Sequence, residues 1–580
     1  MPEPLKKAFV IDDEPSERFP VWTRGNVGEV FAEVVSPLTW DLLGFDGYEM
    51  GWRDALVRIG AFSHDEFRSG LNEVCGAFGG YVYINVSASR VLAARLPGMS
   101  PEQMDRSLFG DQDAPPYVPA PGDDDPRKSA ASADWLGQLL AAPDVGFLNE
   151  DKAAIEAEAR SRGDLSGSSD AELIERARRF AREMRRYFGS HIYMLYGANV
   201  VASVVGASCD TVGRPELTAE VLAGLGDVDS TGTAETLWEM SRTVRRSPAL
   251  TATLDEGVDE LLSRLGAERD PAVTDFLKQW AEFVDQHGAY GKNMWELRSP
   301  TFATQPELAL TMIDRLSAVG DDAGPGVRFA ELGARREHGV AEVERLLDGD
   351  DEALTAFRGA AHSAHLLMPG RERAKTNCVK CLQEIRLPLR ELGRRLVERG
   401  AARSVEDVFF VRDAELEDYV ASPAAYAGTI AERRARLEEL MAVEPPFVFV
   451  GDRPRPEEYT GRGATTAEVA TPGTVLSGIG ASPGVRTGHA RIIRSIDEAA
   501  DVADGDVLVA EVTDSTWGPL FLAAGAVIVE AGSPISHAVI VSRELGIPAV
   551  VSVPDAVRRI PDGARITVDG GAGTITIEGS

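Results

Sequence analysis

From about residue 134 to 440, apolar residues recur every three or four positions, as in Glu172 to Tyr187 and Leu382 to Glu398. That period is the helical one, so this long stretch is committed to packed helices. Near residue 473 the pattern changes abruptly. Short Val/Ile-rich runs (Asp506-Val-Leu-Val-Ala510, Ala526-Val-Ile-Val529, Ala549-Val-Val-Ser-Val553, Arg565-Ile-Thr-Val568, Thr574-Ile-Thr-Ile577) alternate with glycine turns, the pattern of a small α/β domain. Ahead of the helices, residues 1–108 mix strand-like and helical runs. Two stretches lack periodicity. Residues 109–133, rich in Pro, Gly and Asp, read as a flexible surface loop, and residues 441–472 as an interdomain linker. The expected fold class is α+β and multidomain: a mixed N-terminal part (1–108), the loop (109–133), a helical domain (134–440), the linker (441–472) and a C-terminal α/β domain (473–580).

The chain has 92 acidic and 60 basic residues, a formal net charge of −32. Such a surface repels nucleic acid and anionic membrane, and neither is an expected partner. A site for a phosphorylated ligand must therefore gather its own cations. The N-terminal MPEPLKKAFVIDDEPSERF lacks the apolar core of a secretory signal, and apolar runs such as Phe521 to Val529 are too short to span a bilayer. A soluble, cytoplasmic protein is expected. The four cysteines make no disulfide framework. Cys378 and Cys381 form a lone CxxC in a helical segment with no second Cys/His pair at ligand spacing, so structural thiols and no metal site are expected.

One histidine stands where the α/β pattern is most informative. The run Ala526 to Val529 reads as a strand, and His537 to Leu545 reads as a helix with Ala538, Val541 and Leu545 on one face and Gly546 as its stop. Ser536 is suited to the N-cap, which puts His537 in the first turn. Uncommitted backbone N–H groups and the positive end of the helix dipole favour a phosphoryl group there, and a neutral imidazole is a nucleophile near pH 7. Gly532 permits close backbone approach, and Ser533 and Ser536 offer hydroxyl donors. By position alone the histidine is equally well placed simply to cap the helix.

The run Gly532-x-x-x-Ser536-His537-Ala538-x-Ile540-Val541-x-Arg543-Glu544-Leu545-Gly546-Ile547-Pro548-Ala549-Val550-Val551 resembles the phosphohistidine signature of the PEP-utilising enzymes. Gly480-Ala-Ser-Pro-Gly484-x-x-x-Gly488-x-Ala490-Arg491 is similar to that domain's opening turn, and Asp514-Ser-Thr-Trp517-Gly-Pro519-Leu-Phe521 to its substrate-facing loop. Ala531 departs from the family's usual first glycine. The resemblance implies a swivelling domain that carries phosphate on His537. Family members that draw phosphate from ATP use an ATP-grasp domain, and those that draw it from phosphoenolpyruvate use a TIM barrel of about 250 residues. Neither is recognisable here. The implied arrangement is a separate ATP-grasp partner subunit that supplies ATP and Mg2+ chemistry, with no cofactor tightly bound to this chain.

The remainder resembles the acceptor-binding region of rifampin phosphotransferases and of the large subunit of phenylphosphate synthase. The resemblance rests on Trp22-Thr-Arg-x-Asn-Val-Gly-Glu29, Ser36-Pro37-Leu-Thr39, the block His287-Gly-Ala-Tyr-Gly-Lys-Asn-Met-Trp-Glu296, and Glu406-Asp407-Val-Phe-Phe410 with Glu415-Leu416. It implies a phosphotransferase with a phenolic acceptor such as phenol or 4-cresol; a rifampin-type antibiotic phosphotransferase and a regulatory phosphocarrier without a small acceptor are the other readings. Arg371 and Lys375, four apart on one helix face, are the candidate clamp on the phosphoryl group or a solvated charged face. His287 is the candidate general base or a packed interhelical histidine. Tyr290, Glu296 and His365 are substrate-binding candidates; His365 and His362 otherwise form a buried polar pair. Trp22, Arg24 and Glu29 either line a pocket or pin the N-terminal segment to the core.

Overall fold

The computed structural model describes residues 9–109, 114–226, 229–321, 324–462, 467–494, 502–503, 505–513, 517–532 and 537–579. Two compact units emerge. The first comprises Met1–Val200, Trp295–Ser299 and Arg373–Thr466, and the second Val201–Met294, Pro300–Glu372 and Ala467–Ser580. Both main boundaries fall inside long helices, Asp170–Thr211 and Asp351–Glu398. Residues 134–440, read from periodicity as one helical domain, are thus divided between two units. An amphipathic period reveals that a helix has a buried face but not where that face changes partners.

In the first unit, strands β1 (Val21–Thr23), β2 (Cys75–Phe78), β3 (Tyr81–Asn85) and β5 (Val448–Val450) form an antiparallel sheet in the order β2-β3-β1-β5. A small ribbon joins β4 (Val443–Glu444) to β6 (Thr460–Gly461). The segment 441–472 is therefore more than the linker its composition indicates. In β5 the alternation of strand residues turns Phe449 inward and leaves Val450 57% exposed. Phe449 packs its ring 6.3 Å from Trp22, 5.0 Å from Phe78 and 5.1 Å from Tyr83.

The expected loop 109–133 is also partly helical. A helix spans Pro126–Leu140, started by the Asp125 side chain, which accepts the Arg127 N–H at 2.9 Å, with Pro126 in the first turn and Trp135 and Leu139 buried. The helix Asp170–Thr211 contains an 18-residue window of mean hydropathy 1.5, half of it buried in the protein. By length and composition it is apolar enough to cross a membrane, which the shorter runs noted above are not. Cys378 and Cys381 lie buried in the helix Asp351–Glu398. Burial pushes both thiols well above their usual range, which opposes thiolate chemistry.

The second unit joins a helical part to the C-terminal domain. That domain is an eight-stranded sheet of β7 (Val475–Ser477), β8 (Ile479–Ser482), β9 (Val485–Ile493), β10 (Val507–Ala510), β11 (Ala526–Val529), β12 (Ala549–Val551), β13 (Arg565–Asp569) and β14 (Thr574–Gly579). Their order is β7-β14-β13-β9-β10-β11-β12-β8. The central strands β9 to β12 run parallel, and antiparallel pairs finish both edges. Val507, Val509, Ile528, Val550, Ile566, Val568 and Ile575 fill its core. Each such side chain contributes on the order of 2 kcal/mol by leaving water. The α+β class and the strands expected from the Val/Ile runs are both present.

Candidate phosphohistidine site and acceptor-side helices

Parallel strands β11 and β12 are joined through the helix His537–Leu545. The helix starts beyond the carboxyl end of β11, the edge at which open α/β sheets bind their ligands. Its first-turn N–H groups have no partner within the helix, and its dipole favours an anion there. Ala538, Val541 and Leu545 are buried as their spacing requires, and Gly546 ends the helix at φ 64°. Arg543 ties the helix to β8 by donating to the Ala481 carbonyl at 2.7 Å; burial lowers its pKa to about 10.

The turn before the helix is held by its backbone. The Glu530 N–H donates to Ala510 O at 3.0 Å, the Ala531 N–H donates to Glu511 O at 2.9 Å, and Gly532 O accepts from Ser552 Oγ. Ala531 does not adopt a left-handed backbone, so alanine fits where the related domains favour glycine. Glu530 accepts the Val557 N–H at 2.7 Å; burial, with Glu511 nearby, pushes its carboxyl up to about 7. Ser533, Ser536 and the His537 side chain lie outside the described residues, as does the start of the loop at 514–516.

In the helical part of the second unit, His287 is the last residue of the helix Pro271–His287. The imidazole is 9% exposed and is held from the helix Asp229–Arg246: Nδ1 lies 3.0 Å from Thr233 Oγ1 and Nε2 3.3 Å from Thr236 Oγ1. Phe283 and Tyr290 flank it, with ring centroids at 5.5 and 6.4 Å. Tyr290 is buried; its N–H donates to His287 O at 3.0 Å and its carbonyl accepts the Phe302 N–H at 2.8 Å. Gly291 permits this return of the chain, since a Cβ there would stand 2.2 Å from Pro300 O.

The same turn of Asp229–Arg246 meets the C-terminal domain. The helix Gly518–Ala523 packs on it, and a Cβ placed on Gly518 would lie 3.6 Å from Ala234 Cβ. Gly518–Ala523 also packs against the His537–Leu545 helix. Residues 233–236 therefore hold His287 and receive the helix Gly518–Ala523, which neighbours the His537–Leu545 helix. Sequence reasoning missed Thr233 and Thr236. Their three-residue spacing on a helix was the available signal, and it is too common to single them out.

Other candidates fall elsewhere. Trp22 is fully buried against Phe78 and Phe449, which is packing and not a pocket wall. Arg24 donates to the carbonyls of Val82 and Phe31, each at 2.9 Å, and lies over Tyr81; it pins the N-terminal segment. Glu29 is half-buried in the same unit. Glu296 belongs to the first unit, apart from His287 and Tyr290 in the second. It is fully buried and accepts from Ser36 N at 3.0 Å, Ser36 Oγ at 2.6 Å, Thr39 Oγ1 at 2.7 Å and Arg298 N at 2.9 Å. Its carboxylate serves the start of the helix Pro37–Leu43, so it anchors the fold and does not face substrate. Arg386 braces the same point through the carbonyls of Leu297 and Glu296, and burial lowers its pKa to about 10.

Arg371 and Lys375 are half-buried on the one helix Asp351–Glu398, and Arg371 pairs with Glu372 at 2.8 Å. The unit boundary passes between Glu372 and Arg373. His362 and His365 are exposed on that helix, and not the buried pair their spacing allowed.

Comparison with known proteins gives two domain matches. Residues 187–372 match the rifampicin phosphotransferase fourth domain, and residues 502–573 match the PEP-utilising enzyme mobile domain. The first match ends at Glu372, where the second unit's middle segment also ends. An uncharacterised protein of Mycobacterium tuberculosis is 38% identical over 341 residues, 56% of this chain and 36% of that protein. The prodigiosin-synthesising transferase PigC of Serratia marcescens is 30% identical over 355 residues, 58% of this chain and 37% of its own. A rifampicin phosphotransferase of Streptomyces sviceus is 28% identical over 324 residues, 55% of this chain and 36% of the enzyme. The chain thus spans well under half the length of these curated relatives. The chain is thus similar over residues 187–372 to the rifampicin phosphotransferase fourth domain, over residues 502–573 to the PEP-utilising enzyme mobile domain, and over part of its length to the rifampicin phosphotransferases.

Proposed function

We propose that this chain is the acceptor-side component of a cytoplasmic phosphotransferase. A separate ATP-grasp subunit, using ATP, water and Mg2+, loads one phosphoryl group onto His537 and passes a second to water, releasing AMP and phosphate. The C-terminal domain then delivers the group to the hydroxyl of a small phenol, such as phenol or 4-cresol, forming an aryl phosphate. The observation that carries this reading is the shared turn at 233–236, which holds His287 on one side and meets the phosphohistidine domain through Ala234 on the other.

In the transfer step the N–P bond at His537 breaks as the acceptor oxygen forms its O–P bond. The acceptor proton goes to His287, kept in orientation by Thr233 and Thr236. Arg371 stabilises the charge on the moving group. The flat rings of Phe283 and Tyr290 beside His287 favour an aromatic acceptor. The fourth-domain match favours a second reading, in which the acceptor is a hydroxyl of a rifampicin-type antibiotic.

The test is discharge of the phosphorylated chain. Loss of acid-labile phosphate on adding 4-cresol, with appearance of the aryl phosphate, supports the phenolic reading. Discharge by rifampicin and not by 4-cresol moves the assignment to the antibiotic. Loading with discharge to neither compound contradicts both.

A further inference from the structure

Among the carboxylates that the second unit buries and the transfer chemistry leaves unused, Glu544 is the one with an oxygen that meets no partner among the described residues. Glu544, near the end of the His537–Leu545 helix, is 3% exposed. It accepts the backbone N–H groups of Gly224 and Leu225 in the helical part, and among the described residues its Oε2 meets no hydrogen-bond partner. The turn it grips is held from a second side, because Arg336 on the helix Pro325–Leu346 donates to the Gly224 carbonyl. Gly224 has φ 59°, and a Cβ there would stand 2.8 Å from Leu332 and Gly333. Only glycine seats that turn so closely on the helix. Gly546 completes the contact; a Cβ placed on it would lie 3.6 Å from Leu332 Cδ2.

We propose that Glu544 is the latch that docks the phosphohistidine domain on the acceptor-side helices, closing when its carboxyl is protonated and loosening when it ionises. The inference rests on the reading of residues 473–580 as a domain that swings between donor and acceptor. Its physical basis is the bare Oε2: an ionised carboxylate with one unsolvated oxygen is costly to bury, and the neutral acid is cheaper.

Two charged groups face Glu544, Arg336 on the helix Pro325–Leu346 and Arg543 on its own helix; the 224–225 turn adds only backbone. Burial outweighs the two backbone N–H donors and both arginines, and raises the docked carboxyl to about 7. Undocked and in water it titrates near the ordinary carboxylate value of about 4.3. The docked state therefore binds the proton more tightly. Docking is strongest in acid, weakens as pH rises through 7 and is flat above that. Between pH 6 and 8 the docking equilibrium falls about tenfold.

Hydrogen exchange on the full chain, corrected for the intrinsic pH dependence of exchange, tests this at peptides covering 222–226 and 538–546. In the wild type, protection of both segments should fall about tenfold from pH 6 to 8. Glu544→Gln, a neutral isostere, should hold protection high and flat with pH. Glu544→Ala should lower it at both pH values. A flat wild-type profile overturns the proposal, as does a Glu544→Gln slope equal to that of the wild type. The measurement needs neither phosphate nor acceptor, so its failure is separable from failure of 4-cresol discharge.

Discussion

Glu296 in the first unit and Glu544 in the second are both almost fully buried, and both accept backbone N–H groups. They differ in what remains. Glu296 is met by four donors, including two hydroxyls, whereas one oxygen of Glu544 has no partner among the described residues. A fully satisfied carboxylate is fixed in place and fixes its surroundings; a half-satisfied one is a group its surroundings can release. Burial alone does not separate structure from function here. The count of donors does.

This contrast extends to neighbouring residues and can be broken. The largest effect is expected at Trp22. Trp22→Ala removes a ring packed on Phe78 and Phe449 and should cost about 4 kcal/mol in denaturant unfolding, with phosphorylation of His537 unaffected in the fraction that remains folded. Glu296→Gln should cost about 3 kcal/mol, because the amide presents donors to groups that already donate. A loss below about 1 kcal/mol would show that Glu296 is not needed by the helix start and return it to the list of substrate ligands.

In the second unit the expected losses are kinetic. His287→Asn should slow discharge of phosphohistidine about 100-fold, equivalent to about 2.7 kcal/mol, while loading of His537 continues. A fall in loading instead would make His287 a structural residue. The smallest effect is set at Thr236→Val, which removes the longer of the two contacts to the imidazole: discharge about fivefold slower at unchanged stability.

The parts of the molecule legible in sequence are those built from local contacts. The Val/Ile runs became strands, and the His537–Leu545 pattern became a helix ended by Gly546; the motif 514–521, read as a loop, runs in its described part into the helix Gly518–Ala523. What the chain hid was non-local. Strand β5 reads as linker because its partner β1 is several hundred residues earlier, with Trp22 opposite Phe449. Glu296 reads as a ligand because Ser36 and Thr39, which consume its oxygens, lie 260 and 257 residues away in sequence. The block 287–296 looks like one site, yet it is divided between the two units, which no periodicity records. The Gly224–Leu225 turn carried no signal beyond its glycine.

Intact mass with an acid-lability check tests most directly whether His537 carries the phosphoryl group. The chain is incubated with Mg-ATP and an ATP-grasp partner, wild type beside His537→Ala. The wild type should gain one phosphoryl group that acid removes, and the variant should gain none. Equal loading of the His537→Ala variant would contradict that role.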